Sequence, residues 1–162
     1  MWMADYVISD LQELMRITEE NMVQNPKIRM LDEADDSVGE FIHHEFLRYG
    51  EQNDVTLNYD EFCFIAEDGE KNIIGAVTGR AYYNEVHIGD LIVNESHRRS
   101  GLGRQLVHAV EACYKGKGYD VITLTTFGFQ APEFYKKLGY TVEFVRENKD
   151  PKLAKFFLKK EL

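Results

Sequence analysis

Between residues 85 and 113 the hydrophobic period changes from two to between three and four. The change falls across one short segment, Arg98-Arg99-Ser100-Gly101-Leu102-Gly103. Ahead of it Glu85–Val93 alternates as a strand. Behind it Leu102, Leu106, Ala109, Val110 and Cys113 recur at helical spacing. Gly101 and Gly103 allow close backbone approach and expose successive amide N–H groups as the helix opens. A helix N-terminus carries unpaired donors and the positive end of the dipole, and Arg98, Arg99 and Arg104 add charge. The segment is a candidate phosphate or pyrophosphate site. It is not a Walker loop, because no Gly-Lys-Ser/Thr follows, and its spacing is not the dinucleotide Gly-x-Gly-x-x-Gly pattern. The competing reading is a turn decorated with surface arginines.

The rest of the chain reads around that switch. Residues 5–24 form an amphipathic helical pattern that Asn25-Pro26 ends, and Lys27–Leu31 is a short strand candidate. Asp35-Asp36-Ser37 can cap a second helix reaching Gly50. Three strands follow, over 62–66, 72–83 and 85–93, joined by Asp68-Gly69 and Asn84 into an antiparallel meander. After the helix that opens at Gly101 come a strand over Tyr119–Phe127 and a short helix over Ala131–Leu138. Two last strands follow, over Tyr140–Arg146 and Leu153–Leu158. The order α, β, α, three strands, α, β, α, β, β predicts an α/β (α+β) fold: a mixed, mostly antiparallel central sheet flanked by helices, with an extra N-terminal helix. Residues 1–26 are then a helical extension and 27–162 the domain proper.

Length and charge narrow the function. A chain of 162 residues fits one domain that buries a core without metal or disulfide staples. Cys63 and Cys113 fall in different elements and supply neither a disulfide framework nor a cysteine zinc site, so no metal is expected and a reducing, cytoplasmic setting is. No signal peptide or membrane-length apolar run is visible. A net charge of −9 argues against nucleic acid as a partner. The distribution is uneven. Residues 31–70 hold thirteen Asp and Glu against Arg48 alone, and residues 96–162 hold thirteen Lys and Arg against seven acids. A solvated acidic face is one reading of the first stretch, and attraction of a cationic ligand is the other.

A second segment, Ala131-Pro132-Glu133-Phe134-Tyr135-Lys136-Lys137-Leu138-Gly139-Tyr140, reads by itself as a helix with a core stripe. Taken with the first it forms Arg-x-x-Gly-x-Gly opening a helix, a strand, then Ala-x-x-x-Tyr-x-x-x-Gly-Tyr. That combination resembles the GNAT superfamily of acetyl-coenzyme-A-dependent N-acetyltransferases. The resemblance covers Glu61–Leu162, extends over 27–60 and does not reach 1–26.

The resemblance implies a set of roles. Arg98, Arg99, Ser100, Gly101, Leu102, Gly103 and Arg104 would hold the diphosphate of acetyl-CoA through backbone amides. Leu91, Ile92 and Val93 would pair with its pantetheine arm, and an N–H near Ile92 would polarise the thioester carbonyl. Tyr135 would protonate the departing thiolate, since a phenol near pKa ~10 can donate to a thiolate near ~8.5. His87 matches a position where several members carry a base, and an imidazole near pKa ~6.5 suits deprotonation of an amine. Glu85 shares its strand face, and water is a further alternative. Asp90 faces the other way unless a bulge intervenes. His43, His44 and Glu45 fall where the family walls its acceptor site. Gly128 departs from the family, which often has Asn there; Thr125, Thr126 and Gln130 are the nearest polar substitutes.

The implied activity is transfer of acetyl from acetyl-CoA to a primary amine of a small molecule or peptide, by direct attack. The acceptor is open, a cationic amine among the choices, and so is a homodimer. A non-catalytic acyl-CoA sensor, a protein-interaction module on the same fold and an unrelated nucleotide-phosphate binder are the rival readings.

Overall fold

Residues 26–33 and 35–162 are described by the structure, a computed structural model. The chain divides into two units between Ile42 and His43. Residues 26–33 are exposed and form no regular element. The strand expected over Lys27–Leu31 is therefore not formed. A strand must pair its backbone N–H and C=O groups, and the sheet contains no partner for these residues. The helix expected over residues 5–24 lies outside the described residues.

Helix α1 (Asp36–Gln52) starts at a side-chain cap. The Asp35 carboxylate accepts from the Ser37 hydroxyl at 2.5 Å and the Val38 N–H at 3.1 Å, which holds it below the usual carboxylate range. At the far end the Asn53 amide donates to the Tyr49 carbonyl at 2.8 Å.

The second unit is built on one sheet. Its strands are β1 (Asp60–Glu67), β2 (Ile73–Tyr82), β3 (Glu85–Val93), β4 (Val121–Phe127), β5 (Thr141–Arg146) and β6 (Lys155–Glu161), in the order β1-β2-β3-β4-β6-β5. Every neighbouring pair is antiparallel except β3 with β4. The parallel pair follows from its connection, because helix α2 (Leu102–Tyr114) carries the chain back across the sheet. Helix α3 (Pro132–Lys137) joins β4 to β5. The last strand begins two residues later than Leu153, because Asp150 caps a 3-10 turn over Pro151–Leu153 by accepting from the Lys152 N–H at 2.9 Å. It also runs on to Glu161. Lys159 pairs with Glu143 at 3.0 Å and Lys160 with Glu111 at 2.9 Å, so the charged end of the strand is neutralised.

Alternation puts Val77 and Ala81, Val86 and Ile88, Ile122 and Leu124, and Leu158 on one face. That face packs against Leu106, Val107, Val110 and Tyr114 of α2, and against Tyr135, Leu138 and Tyr140. Glu111 of α2 ties the layers together. One carboxylate oxygen accepts from Tyr140 OH at 3.2 Å and from Lys160 Nζ at 2.9 Å, while Lys160 also donates to the Leu138 carbonyl at 2.9 Å.

Two irregularities shape the centre of the sheet. Val77 faces Leu91 while Gly79 faces Ile88, so Thr78 alone opposes Gly89 and Asp90. This bulge reverses the alternation along β3. Val86 and Ile88 point to the helices before it, Leu91 and Val93 after it, and Asp90 moves to the open face. The second irregularity is a parting. β3 pairs with β4 only from Glu85↔Val121 to Ile88↔Leu124. Beyond that point β3 stays with β2 through Val93, and β4 stays with β6 through Phe127.

The bulge site sets a stability contrast. A Cβ on Gly79 would collide with the His87 carbonyl oxygen and the Phe62 ring, whereas one on Gly89 would meet nothing nearer than 3.6 Å. Gly79→Ala should cost roughly 1–3 kcal/mol, and Gly89→Ala should stay within about 0.5 kcal/mol of the parent in urea unfolding.

Candidate active site

The loop before α2 is shaped by positive φ at two residues, Arg99 at 64° and Gly101 at 90°. Gly101 is the N-cap of α2 and supplies no side chain. The first helical bond runs from Gln105 N–H to Gly101 C=O at 3.1 Å. The N–H groups of Leu102, Gly103 and Arg104 precede it, and only that of Leu102 reaches a side chain, Ser100 Oγ at 3.4 Å. Arg98, Arg99 and Arg104 are exposed and form no ion pair among the described residues. The first turn of α2 thus opens with N–H groups outside the helical ladder, at the positive end of the helix dipole and beside three exposed arginines in the chain, a setting that suits an anion such as a diphosphate.

That spot adjoins the parting in the sheet. A Cβ on Gly103 would lie 3.5 Å from the Phe134 ring and 3.7 Å from Val93 Cγ2, so the first turn of α2 sits between the end of β3 and α3. The Asn94 N–H donates to the Ile74 carbonyl at 2.9 Å. In an antiparallel ladder the bonded edge alternates, so Ile92, opposite Ala76, also turns its backbone groups toward β2. Leu91 and Val93 turn theirs toward the gap. The Val93 carbonyl is taken by Arg98 Nε at 3.2 Å. An N–H expected near Ile92 thus resolves to the two flanking residues, while the Ile92 side chain is exposed on the face opposite α2.

Tyr135 belongs to α3 and to the core on the helical side of the sheet. Its ring packs edge-on against Phe134 and Tyr140, with 7% of the residue exposed. Burial pushes its phenol up to about 12. No protein group among the described residues bonds its hydroxyl, yet no buried side-chain oxygen lacks a partner, so this oxygen reaches accessible space.

His87 lies on the opposite face, one residue short of the parting. Its Nδ1 is 2.8 Å from Thr123 Oγ1, Thr123 donates its hydroxyl proton to Glu85 Oε1 at 2.6 Å, and Tyr82 OH donates to the same oxygen at 3.2 Å. Burial holds the imidazole below its usual 6.5, with Arg80 and Lys155 acting in the same direction and Glu85 against them. His87 borders an open hollow of about 530 Å³ over β1–β3, whose walls include Glu61, Cys63, Thr78, Arg80 and Gly89. Glu61 is the one acid there from the acidic 31–70 stretch, and Arg80 offsets it.

The remaining expected residues fall elsewhere. His43 and His44 stack edge-on at 6.1 Å on α1, and Glu45 pairs with Arg48 at 2.6 Å. No group that could hold a metal ion occurs among the described residues. Gly128 has a structural reason for lacking a side chain: a Cβ there would collide with the Pro151 carbonyl oxygen. Gln130, an exposed residue, folds back onto its own turn: its Oε1 accepts from the Phe127 N–H at 2.8 Å and Thr126 OH at 3.2 Å, leaving it committed to the turn before α3. Thr123 was not singled out by the sequence. Its signal, a hydroxyl directly opposite His87, exists only once β3 and β4 are in register.

Residues 17–140 match the family model described as acetyltransferase (GNAT) family. The chain belongs to this family. A blasticidin-S acetyltransferase from Streptomyces morookaense is 31% identical over 97 residues, 59% of this chain and 70% of that protein. An acetyltransferase from Bacillus cereus has the same fold, with a TM-score of 0.68 and 35% identity over 83% of this chain and 98% of that one. A Bacillus anthracis protein assigned as a streptothricin acetyltransferase was solved with acetyl coenzyme A; it overlays with a TM-score of 0.57 and 20% identity, over 64% of this chain and 63% of its own. The chain is thus an acetyltransferase of the GNAT fold, a family whose donor is acetyl-CoA.

Gly101 offers a direct test of the loop in this acetyltransferase. A Cβ there meets no atom within 4 Å, so the penalty of substitution lies in its φ of 90° rather than in a clash within the protein. Gly101→Val should remain folded and weaken coenzyme A binding by an order of magnitude or more, measured by calorimetry, as the left-handed turn that aims the amides is lost. Unchanged affinity would remove the loop from the donor site.

Proposed function

We propose that the enzyme transfers acetyl from acetyl-CoA to a primary amine of a small molecule or peptide by direct attack, in a cytoplasmic setting. The observation that carries this reading is the parting between β3 and β4. One edge of β3 there has no strand partner, Tyr135 belongs to the core on the helical side of the sheet, and His87 lies on its open face. Both cysteines are free, which accords with a reducing compartment. Cys63 has no hydrogen-bond partner among the described residues, and Cys113 accepts only from Lys117 Nζ at 3.6 Å; neither has a histidine or carboxylate within reach to take its proton, which supports attack by the amine itself.

In this reading the loop at Arg98–Arg104 anchors the diphosphate and the Leu91 and Val93 edge aligns the arm of the donor. The amine nitrogen forms a bond to the carbonyl carbon as the carbon–sulfur bond breaks. The proton leaves the nitrogen for His87 Nε2. Tyr135 offers its O–H to the sulfur as charge develops there. With its phenol near 12, complete proton transfer to a thiolate of pKa about 8.5 is uphill by roughly 5 kcal/mol. Tyr135 therefore acts chiefly as a hydrogen-bond donor, and solvent supplies the thiol proton afterwards.

The test is a coenzyme A release screen over polyamines, blasticidin S, other antibiotic amines and peptide amines; transfer to none of these would remove the proposed acceptor class. With an accepted amine, Tyr135→Phe should retain acetyl-CoA affinity and lose roughly 10²–10⁴-fold in turnover. No alkaline fall assignable to Tyr135 should appear below pH about 12, because the phenol stays protonated. His87 sits below 6.5, so it is a neutral base at pH 7. The kcat/KM profile should rise with pH through its pKa and level off above it. His87→Gln should abolish that acid limb and lower the plateau. Turnover unchanged in Tyr135→Phe would favour packing as that residue's role.

A further inference from the structure

The open face of the sheet carries a polar row running straight across it. The registers place Glu61 opposite Arg80, Arg80 opposite His87, His87 opposite Thr123, and Thr123 opposite Lys159. Within this row Thr123 has one hydroxyl proton, and it goes to Glu85 Oε1 at 2.6 Å. Its contact with His87 Nδ1 at 2.8 Å must then use the proton on the imidazole nitrogen. The direct Nδ1–Oε1 separation, 3.8 Å, is too long for a hydrogen bond. Nε2 has no protein partner among the described residues, and the ring lines the hollow.

We propose that Thr123 and Glu85 are positioning residues that fix His87 as its Nδ1–H tautomer and leave the Nε2 lone pair free to accept the acceptor amine's proton. The proposal rests on the reading of His87 as base. It gives Glu85 a different task from that of a rival base: its Oε1 already accepts from Thr123 and Tyr82 and serves as the anchor of the relay. When the proton arrives, the imidazolium is balanced by the Glu85 charge through one hydroxyl. The other charged groups facing the ring are Arg80 beside it and Lys155, both opposing its protonation, with Lys159 across from Thr123 and already paired to Glu143. The chemistry needs a hydroxyl at 123, and an isosteric methyl cannot replace it.

Nitrogen-15 NMR of the imidazole rings reads the tautomer without any substrate, with His87→Gln identifying its signals among the five histidines. The parent protein should show a protonated Nδ1 and a bare Nε2 above the His87 pKa. Thr123→Val should shift population to the Nε2–H form and lower kcat/KM with an accepted amine by roughly 10-fold or more, while Thr123→Ser restores both. Glu85→Gln keeps an acceptor for Thr123 but loses the charge, so the tautomer should persist while the His87 pKa moves down. A tautomer unaffected by Thr123→Val, or a His87 pKa unmoved or raised by Glu85→Gln, overturns the relay. Full activity of His87→Gln overturns the base reading instead, and the catalytic purpose of the relay with it.

Discussion

Parallel pairing of β3 with β4 stops after four residue pairs, and the geometry of the candidate site depends on that stop. Each strand keeps its antiparallel partner on the outer side, β2 for β3 and β6 for β4, so the sheet separates without losing its outer ladders. The inner edge of β3 is left with backbone groups that need partners. An unpaired edge inside a folded domain is costly unless water or a ligand completes it. The edge that an extended ligand would complete is thus built into the fold rather than added by a loop.

The bulge at Gly89-Asp90 prepares the same region. It turns Leu91 and Val93 onto the helices after Val86 and Ile88 have already faced them, and so anchors β3 on both sides of the parting. Asp90, which uninterrupted alternation would have driven into the core, stays in solvent. Gly79, next to the bulge and opposite Ile88, has no room for a side chain between the His87 carbonyl and the Phe62 ring. On the helical side Glu111 binds Tyr140 and Lys160, and Lys160 holds the Leu138 carbonyl. That clamp fixes the turn after α3, and with it the Tyr135 ring.

Opposite faces of one sheet thereby offer opposite environments. Tyr135 is buried against aromatic rings and holds its proton tightly, whereas His87 is half-buried beside an open hollow and stays neutral near pH 7. The two environments push both groups toward the protonation states that the proposed transfer needs at its start. The charge contrast read along the chain maps unevenly onto this arrangement. Three arginines do gather at the α2 N-terminus, but the hollow beside His87 has one acid of the acidic stretch and a counterbalancing Arg80.

Local rules made most of the elements legible. Alternation found β1 to β4, helical spacing found α2, and Gly101, Pro132 and Gly139 marked ends that the structure keeps. The loop and the tyrosine helix could be read because their chemistry resides in contiguous residues. Lys27–Leu31 misled because alternation describes what a strand can bury, while a strand forms only against a partner. Leu153 was misplaced because a side-chain cap from Asp150 took precedence over β-propensity. The Thr123–Glu85 pair, the edge alternation at Leu91 and Val93, and the reason for Gly128 could not be read from the chain. Each depends on residues 14 or more positions apart brought into register. By itself the sequence determined most of the elements and marked the candidate anion loop, tyrosine and histidine, because periodicity, caps and motif spacing are local. Only the tertiary structure decided where β3 leaves β4 and which nitrogen of His87 is free, because hydrogen-bond partners across a sheet are set by register.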